Sequence, residues 1–258
     1  MAANQDTILS VEGLRKRYGG VPALQGVDFN IRRGEVCGLI GPNGSGKSTL
    51  FDCCTGLQRS DSGKVVLNGH DITGWSMNRI SREGRLVRSF QKTVVFHSLN
   101  AEENLVLAGQ MSSFPGLLST FSIGPGASRR VRRLRERAGE LIEIAGLQRV
   151  AHLPAGNMSG GQQKLLQFAL MLMPEPELIL LDEPLAGINP VLIEKVIESI
   201  RDANRRLGVT FVVIEHNTDV LMDLSHRVIV LHQGTKLAEG EPESIVRNPQ
   251  VIEAYLGV

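Results

Sequence analysis

Nine residues, Gly41-Pro42-Asn43-Gly44-Ser45-Gly46-Lys47-Ser48-Thr49, carry the densest chemistry in the chain and fit the phosphate-loop pattern G-x-x-x-x-G-K-[ST]. Glycines there let backbone N–H groups approach phosphate oxygens, and a following helix N-terminus adds partial positive charge. Lys47 can reach β- and γ-phosphates, and the Ser48 hydroxyl can ligate Mg²⁺. A second group lies far downstream. The apolar run Leu178-Ile179-Leu180-Leu181 ends in Asp182-Glu183. Such a strand end sets one carboxylate near a metal and a second near a water attacking phosphate. Glu183 is then the candidate to orient and deprotonate that water. Alone, either feature has a plain reading, a glycine-rich turn or a surface acid at a strand end. Together, and in this order, they point to nucleotide hydrolysis. Between them, Ser159-Gly160-Gly161-Gln162 supports two readings that can both hold. Ser159 and Gln162 have capping-box spacing, and glycines at a helix start leave N–H groups open to an anion.

These residues need a strand before the phosphate loop and a helix after it. Glu35 to Ile40 reads as a short buried strand and Ser48 to Leu57 as a helix. Upstream, residues 7–33 predict antiparallel strands, Ile8 to Val11 and another within Ala23 to Ile31, with Gly19-Gly20 as a turn. Lys64 to Leu67, Asn68-Gly69 and His70 to Ile72 predict a hairpin through a type I′ turn. Val87 to Gln91 predicts a strand end, and residues 112–127, rich in Ser, Pro and Gly, a loop or insertion. Val131, Leu134, Ala138, Leu141, Ile142 and Ala145 define one apolar helix face. The six arginines from Arg129 to Arg137 fall mostly off it and read as a solvated face balanced by Glu136, Glu140 and Glu143, rather than a nucleic-acid or lipid patch. A helix follows Ser159 to about Met173, and another runs from Asn189-Pro190 to Leu207, stopped by Gly208. Val209 to Ile214 is a buried strand ending in Glu215-His216. A helix to about Leu224, a strand Val228 to Leu231, a Gln233-Gly234 turn and a terminal helical stretch complete the pattern. Alternating buried strands and helices indicate an α/β fold with a parallel sheet.

The bulk numbers narrow the function. A chain of 258 residues with net charge +1 exerts no global pull on nucleic acid or an anionic membrane. Two tyrosines and one tryptophan make a poor base-stacking surface. Cys37, Cys53 and Cys54 lack metal-ligand spacing and read as buried thiols in a reducing compartment. No run approaches a membrane-spanning length, and the N-terminal residues carry no signal-peptide pattern, so a membrane role is expected to come through a partner.

In order, the phosphate loop 41–48, Gln91, Met158 to Gln162, Leu178 to Glu183 and His216 resemble the motif set of ATP-binding cassette (ABC) ATPases, over nearly the whole chain. The resemblance implies a P-loop NTPase fold, with a RecA-like core, an N-terminal antiparallel β-subdomain and an inserted α-helical subdomain at about 92–165. It implies ATP and Mg²⁺ as cofactors and two cassettes packed head to tail, with each ATP between one phosphate loop and the other cassette's signature. Tyr18 would stack on adenine. Ser48, Gln91 and Asp182 would serve the metal, with Gln91 linking it to a transmembrane partner. Ser159, Gly160, Gly161 and Gln162 would contact nucleotide in trans, and Lys47, Glu183 and His216 would carry catalysis, His216 holding the γ-phosphate. Two positions depart from the pattern. Met158 replaces the usual leucine, which is expected to matter little. Asn189 replaces the frequent aspartate and leaves coupling between the two sites open.

Leu185 to Pro190, Ile214 to Asn217 and Pro249 to Gly257 more narrowly resemble bacterial high-affinity branched-chain amino acid importers. The 112–127 insertion resembles the longer of that system's two ATPase subunits. This implies permease subunits, a second ATPase subunit, a periplasmic or extracellular solute-binding protein acting indirectly, no nucleic acid, and a place at the cytoplasmic face of the membrane. Importers of urea, short amides or other amino acids share the pattern. A soluble ABC ATPase or a non-catalytic regulator are the alternatives from other classes. Coiled-coil insertions, tandem cassettes or a basic groove would favour the first, and an altered Lys47, Glu183 or His216 the second.

Overall fold

The computed structural model describes residues 6–89, 95–113 and 125–256. In chain order its elements begin with β1 (Thr7–Tyr18), β2 (Val21–Arg32), β3 (Val36–Ile40), α1 (Lys47–Cys54), β4 (Ser62–Leu67) and β5 (His70–Asp71). Next come α2 (Met77–Glu83), β6 (Leu86–Arg88), α3 (Ala101–Ser113), α4 (Pro125–Ile144), α5 (Gly160–Leu172) and β7 (Leu178–Asp182). The chain continues with α6 (Pro190–Leu207), β8 (Thr210–Ile214), α7 (Thr218–Leu224), β9 (Arg227–His232), β10 (Thr235–Gly240), α8 (Pro242–Val246) and α9 (Pro249–Leu256). Two compact units emerge, residues 1–89, 177–184 and 204–258, and residues 90–176 and 185–203.

The first unit contains two sheets. An antiparallel one has the order β2-β1-β4-β5, and the other runs β10-β9-β3-β8-β7-β6. In the second sheet β9, β3, β8, β7 and β6 pair in parallel, and β10 closes one edge antiparallel. β3, β7 and β8 are buried at every position, which is why they read as unbroken apolar runs. Val65, Leu67, Ile8, Val27, Ile31, Leu50, Phe51, Leu180, Val212 and Ile229 share one core with these strands. Asn68 and Gly69, with φ of 51° and 77°, form the left-handed turn expected between β4 and β5.

Several sequence expectations change. The N-terminal strands are longer than expected, at twelve residues each. A bulge lets β1 run past Val11, and the Gly13 N–H, outside the β1–β2 ladder, donates to Asp28 Oδ1 at 2.6 Å. Helix α1 stops three residues short of Leu57, because Thr55 Oγ1 donates to the Phe51 carbonyl at 2.8 Å and Gly56 turns left-handed at φ 71°. The stretch after Gln233-Gly234 holds β10 before any helix. Its residues are exposed or half-exposed and mix polar side chains with Leu237 and Ala238, as an edge strand's can. The β-strand read at 87–91 begins at Leu86 and is described to Arg88, and Gln91 lies outside the described residues.

The second unit is helical. Asn100 Oδ1 accepts from the Glu103 N–H at 3.0 Å while Glu103 Oε2 accepts from the Asn100 N–H at 2.9 Å, which starts α3. Fully buried Asn104 accepts from the Phe96 N–H and donates to the Phe96, Leu99 and Asn100 carbonyls, fixing the turn before that helix. Leu141, Ile142 and Ala138 of α4 are buried as the sequence periodicity requires. Ser113 ends α3 and Pro125 begins α4, so both ends of the expected 112–127 loop are helical. Arg132 and Arg137 pair with Glu136 and Glu140 along α4, and Arg135 pairs with Glu102, which accounts for part of the arginine run as an ion-paired surface.

Candidate functional site

Parallel strands leave their C-terminal ends open for a ligand. Here β3 runs into the phosphate loop, β7 ends on Asp182 before Glu183, and β8 ends just before Glu215 and His216. These ends meet in a cleft of about 330 Å³ lined by Asn43 to Thr49, Glu183, Ile214 and His216, with Tyr18, Val21, Pro22 and Ala23 on the β1–β2 side. Tyr18 is 45 % exposed, and the Lys16 ammonium lies 5.5 Å from its ring centroid.

The loop is shaped for backbone contact. At Gly41, φ is 153°, and a Cβ would fall 2.1 Å from the Leu231 carbonyl oxygen and 2.6 Å from Ser45 Oγ. Lys47 is buried, and its Nζ donates to the carbonyls of Gly41 at 2.7 Å and Pro42 at 3.1 Å. Burial pulls its ammonium below the usual lysine range, while the Glu183 and Asp182 charges oppose that shift. Ser45 Oγ is buried without a hydrogen-bond partner among the described residues. Such an orphaned hydroxyl, in the same loop as an ammonium that among the described residues bonds two loop carbonyls, fits a group that brings several anionic oxygens. Ser48 is exposed in the first turn of α1.

At the strand ends, the Glu183 backbone has φ 51°, uncommon outside glycine, and its N–H donates to the Ile214 carbonyl at 2.9 Å. That conformation turns its side chain toward His216, whose Nε2 lies 2.9 Å from Glu183 Oε1. Asn217 then caps α7, its Oδ1 accepting from the Val220 N–H at 3.2 Å. Asp182 is buried, its backbone N–H donates to Ser89 Oγ at 2.9 Å, and its Oδ2 accepts from Arg88 Nη2 at 2.8 Å. Asp182 Oδ1 takes no hydrogen bond among the described residues. Oxygen donors of this kind, Ser48 and a carboxylate, suit Mg²⁺, which keeps waters and shares phosphate oxygens.

One unit therefore brings together Tyr18, residues 41–49, Asp182, Glu183 and His216. Ser159, Gly160, Gly161 and Gln162 belong to the other unit. There the capping box is complete, with the Gln162 N–H donating to Ser159 Oγ at 3.3 Å and the Ser159 N–H to Gln162 Oε1 at 2.8 Å. Gly161 has a packing role too, since a Cβ would sit 1.9 Å from Leu192 Cδ1. Sequence reasoning missed Arg88. Only strand pairing shows that β6 lies beside β7, in register with Leu180, so that an arginine at its end reaches Asp182.

The family described as "ABC transporter" matches residues 24–186, and that described as "Branched-chain amino acid ATP-binding cassette transporter" matches residues 235–258. The chain is 37% identical over 250 residues to the high-affinity branched-chain amino acid transport ATP-binding protein BraF of Pseudomonas aeruginosa, covering 97% of this chain and 98% of that one. A crystal structure of the ADP conformation of MJ1267, an ATP-binding cassette of an ABC transporter, superposes with a TM-score of 0.81 at 31% identity, over 98% of this chain and 99% of that one. The dimeric post-hydrolysis structure of the cassette MJ0796 with ADP and Pi gives 0.72 at 26% identity, over 91% and 99%. Likeness of this extent in both sequence and fold assigns the lineage: the chain belongs to the ABC transporter family and is one of its ATP-binding cassettes.

Proposed function

We propose that this cassette is the ATP-hydrolysing subunit of a membrane importer for branched-chain amino acids or chemically close solutes. Paired with a second cassette, it would act at the cytoplasmic face of the membrane beneath transmembrane permease subunits, with a solute-binding protein acting indirectly. The observation that carries the hydrolytic reading is the convergence of Lys47, Glu183 and His216 on one cleft below Tyr18. The solute class is supported by the match at residues 235–258 and by the names of the relatives. Among the described residues no helix is long and apolar enough to cross a membrane, so attachment would come through the permease.

The family resemblance supplies the roles, and the geometry of the cleft supports those of its lining residues. Tyr18 would stack on the base. Backbone amides of residues 41–49 and Lys47 would bind the phosphates, Lys47 exchanging its loop carbonyls for phosphate oxygens. Ser48 and Asp182, with Gln91, would hold Mg²⁺, which when bound neutralises charge on the phosphate oxygens. Glu183 would take the proton of the attacking water, and His216, bonded to it, would fix its carboxylate and face the γ-phosphate. Ser159, Gly160, Gly161 and Gln162 would meet the nucleotide of the second cassette, a reading supported by the dimeric cassette MJ0796. Residues of about 92–165 would form the inserted helical subdomain, with Gln91 and residues 92–104 meeting the permease.

Glu183→Gln keeps size and hydrogen bonding but cannot accept a proton. ATP should bind and stay uncleaved, with turnover down by roughly 10²-fold or more. Trapped nucleotide then favours the dimer by mass action. Size-exclusion chromatography with ATP, with the partner cassette present if pairing is heteromeric, should show that dimer, and Ser159→Arg should abolish it. Undiminished hydrolysis by Glu183→Gln, or a dimer indifferent to Ser159→Arg, would overturn the mechanism.

A further inference from the structure

Arg88 stands at the last position of β6, outside every motif in the sequence. Its guanidinium is ion-paired twice. Nη2 reaches Asp182 Oδ2 at 2.8 Å, and Nη1 bonds Asp52 Oδ1 on α1, the helix that follows the phosphate loop. The Arg88 side chain is 11 % exposed and that of Asp182 10 %, so both charges are largely shielded from water. The third nitrogen, Nε, is buried and meets no acceptor among the described residues. Phe51 lies alongside, its ring centroid 5.7 Å from Cζ.

A cation and a divalent metal cannot both draw fully on one carboxylate. In a shielded site, like charges a few ångströms apart repel far more than in water. A buried guanidinium that lost its only partner would be strongly destabilised. Arg88 avoids that penalty because Asp52 offers a second seat on the α1 side. We propose that Arg88 is a positioning residue that serves as the resident counter-cation of the metal site: it holds Asp182 in the metal-free cassette and passes its charge-assisted bonding to Asp52 when Mg²⁺ arrives with the nucleotide. The inference rests on the reading of Asp182 as the metal-facing carboxylate.

The test is the binding of a fluorescent ATP analogue to the full chain as Mg²⁺ is titrated, with metal-free binding as the check on folding. Arg88→Met removes the competing cation, so half-saturating Mg²⁺ should fall by at least about threefold. Asp52→Asn removes the second seat and leaves the guanidinium wholly on Asp182, so half-saturating Mg²⁺ should rise by a similar factor of about three. Arg88→Lys, a point charge that cannot bridge two carboxylates, should lie between wild type and Arg88→Met. A tie that merely holds β6 to α1 would move Arg88→Met and Asp52→Asn in the same direction or not at all, and either result overturns the proposal. If Arg88→Met does not fold, Asp52→Asn decides alone, and the absence of a rise overturns it. Asp182→Asn separates the two levels. An unchanged Mg²⁺ dependence there refutes the metal-facing role of Asp182 itself. A lost dependence there, with Arg88→Met and Asp52→Asn failing to diverge, refutes only the role of Arg88.

Discussion

Lys47 shows how one residue is prepared for a ligand. Its ammonium is buried and bonded to two loop carbonyls, which are weaker partners than anionic oxygens. In the proposed complex a triphosphate would offer it stronger partners. Lys47→Ala should weaken ATP binding at least about tenfold in a nucleotide titration, since a charge-assisted contact to phosphate is lost. Unchanged affinity would show that the loop does not bind phosphate. Tyr18 works differently. It is half-exposed at the cleft mouth and offers a ring face but no pattern of donors. Tyr18→Ala should cost roughly 1–3 kcal/mol, alike for ATP and GTP, because stacking discriminates poorly between bases. A large difference between the two nucleotides in the same titration would mean that a hydrogen bond, not stacking, reads the base. Lys47 was legible in the sequence because its neighbours are fixed by spacing. The positive φ of Glu183 and its bond to His216 were not, since they depend on β7 and β8 lying side by side, with Asp182 opposite Ile214.

At the scale of elements, α5 carries two demands on one short sequence. Ser159 and Gln162 close the capping box, and Gly161 leaves room for Leu192. Ser159→Ala removes the cap without filling space. It should lower stability by about 0.5–2 kcal/mol in denaturant unfolding and weaken the nucleotide-dependent dimer less than Ser159→Arg does, since one contact is lost without a clash. Loss of the dimer as complete as in Ser159→Arg would mean that the hydroxyl alone carries the contact across the interface. The same scale explains what the sequence conceals. Buried parallel strands were legible because all their residues are apolar, and the capping box because its spacing is local. β10 was not, because an edge strand such as Thr235 to Gly240 alternates weakly and shares its composition with turns. Arg88 was not, because its two partners, Asp52 and Asp182, lie far from it in sequence.

For the folded chain as a whole, the three thiols report on the core that joins the two sheets. Cys37 sits on the central strand β3, and Cys53 and Cys54 on α1 beside it. Burial pushes Cys37 up to about 12, with the Glu35 charge adding to the effect, and Cys53 up to about 11. Burial raises Cys54 as well, and neighbouring Cys53 adds to that. A thiol raised in the folded state stays protonated there while its unfolded counterpart ionises. Its contribution to stability is thus complete below the ordinary thiol value of 9.0 and is lost as pH climbs toward the folded values. Lys47 works in the opposite sense, because its folded value is lowered and the unfolded chain binds the extra proton. The measurement that isolates the thiols is therefore a comparison. Denaturant unfolding of the wild type and of a variant with Cys37, Cys53 and Cys54 replaced by alanine should show the wild type losing stability relative to the variant from about pH 9 upward, and parallel curves below it. At pH 8 the native thiols should also resist alkylation and become reactive only on unfolding, since the thiolate is the nucleophile. Rapid alkylation of the native protein, or curves that stay parallel above pH 9, would mean that this core opens to water far more often than its packing implies.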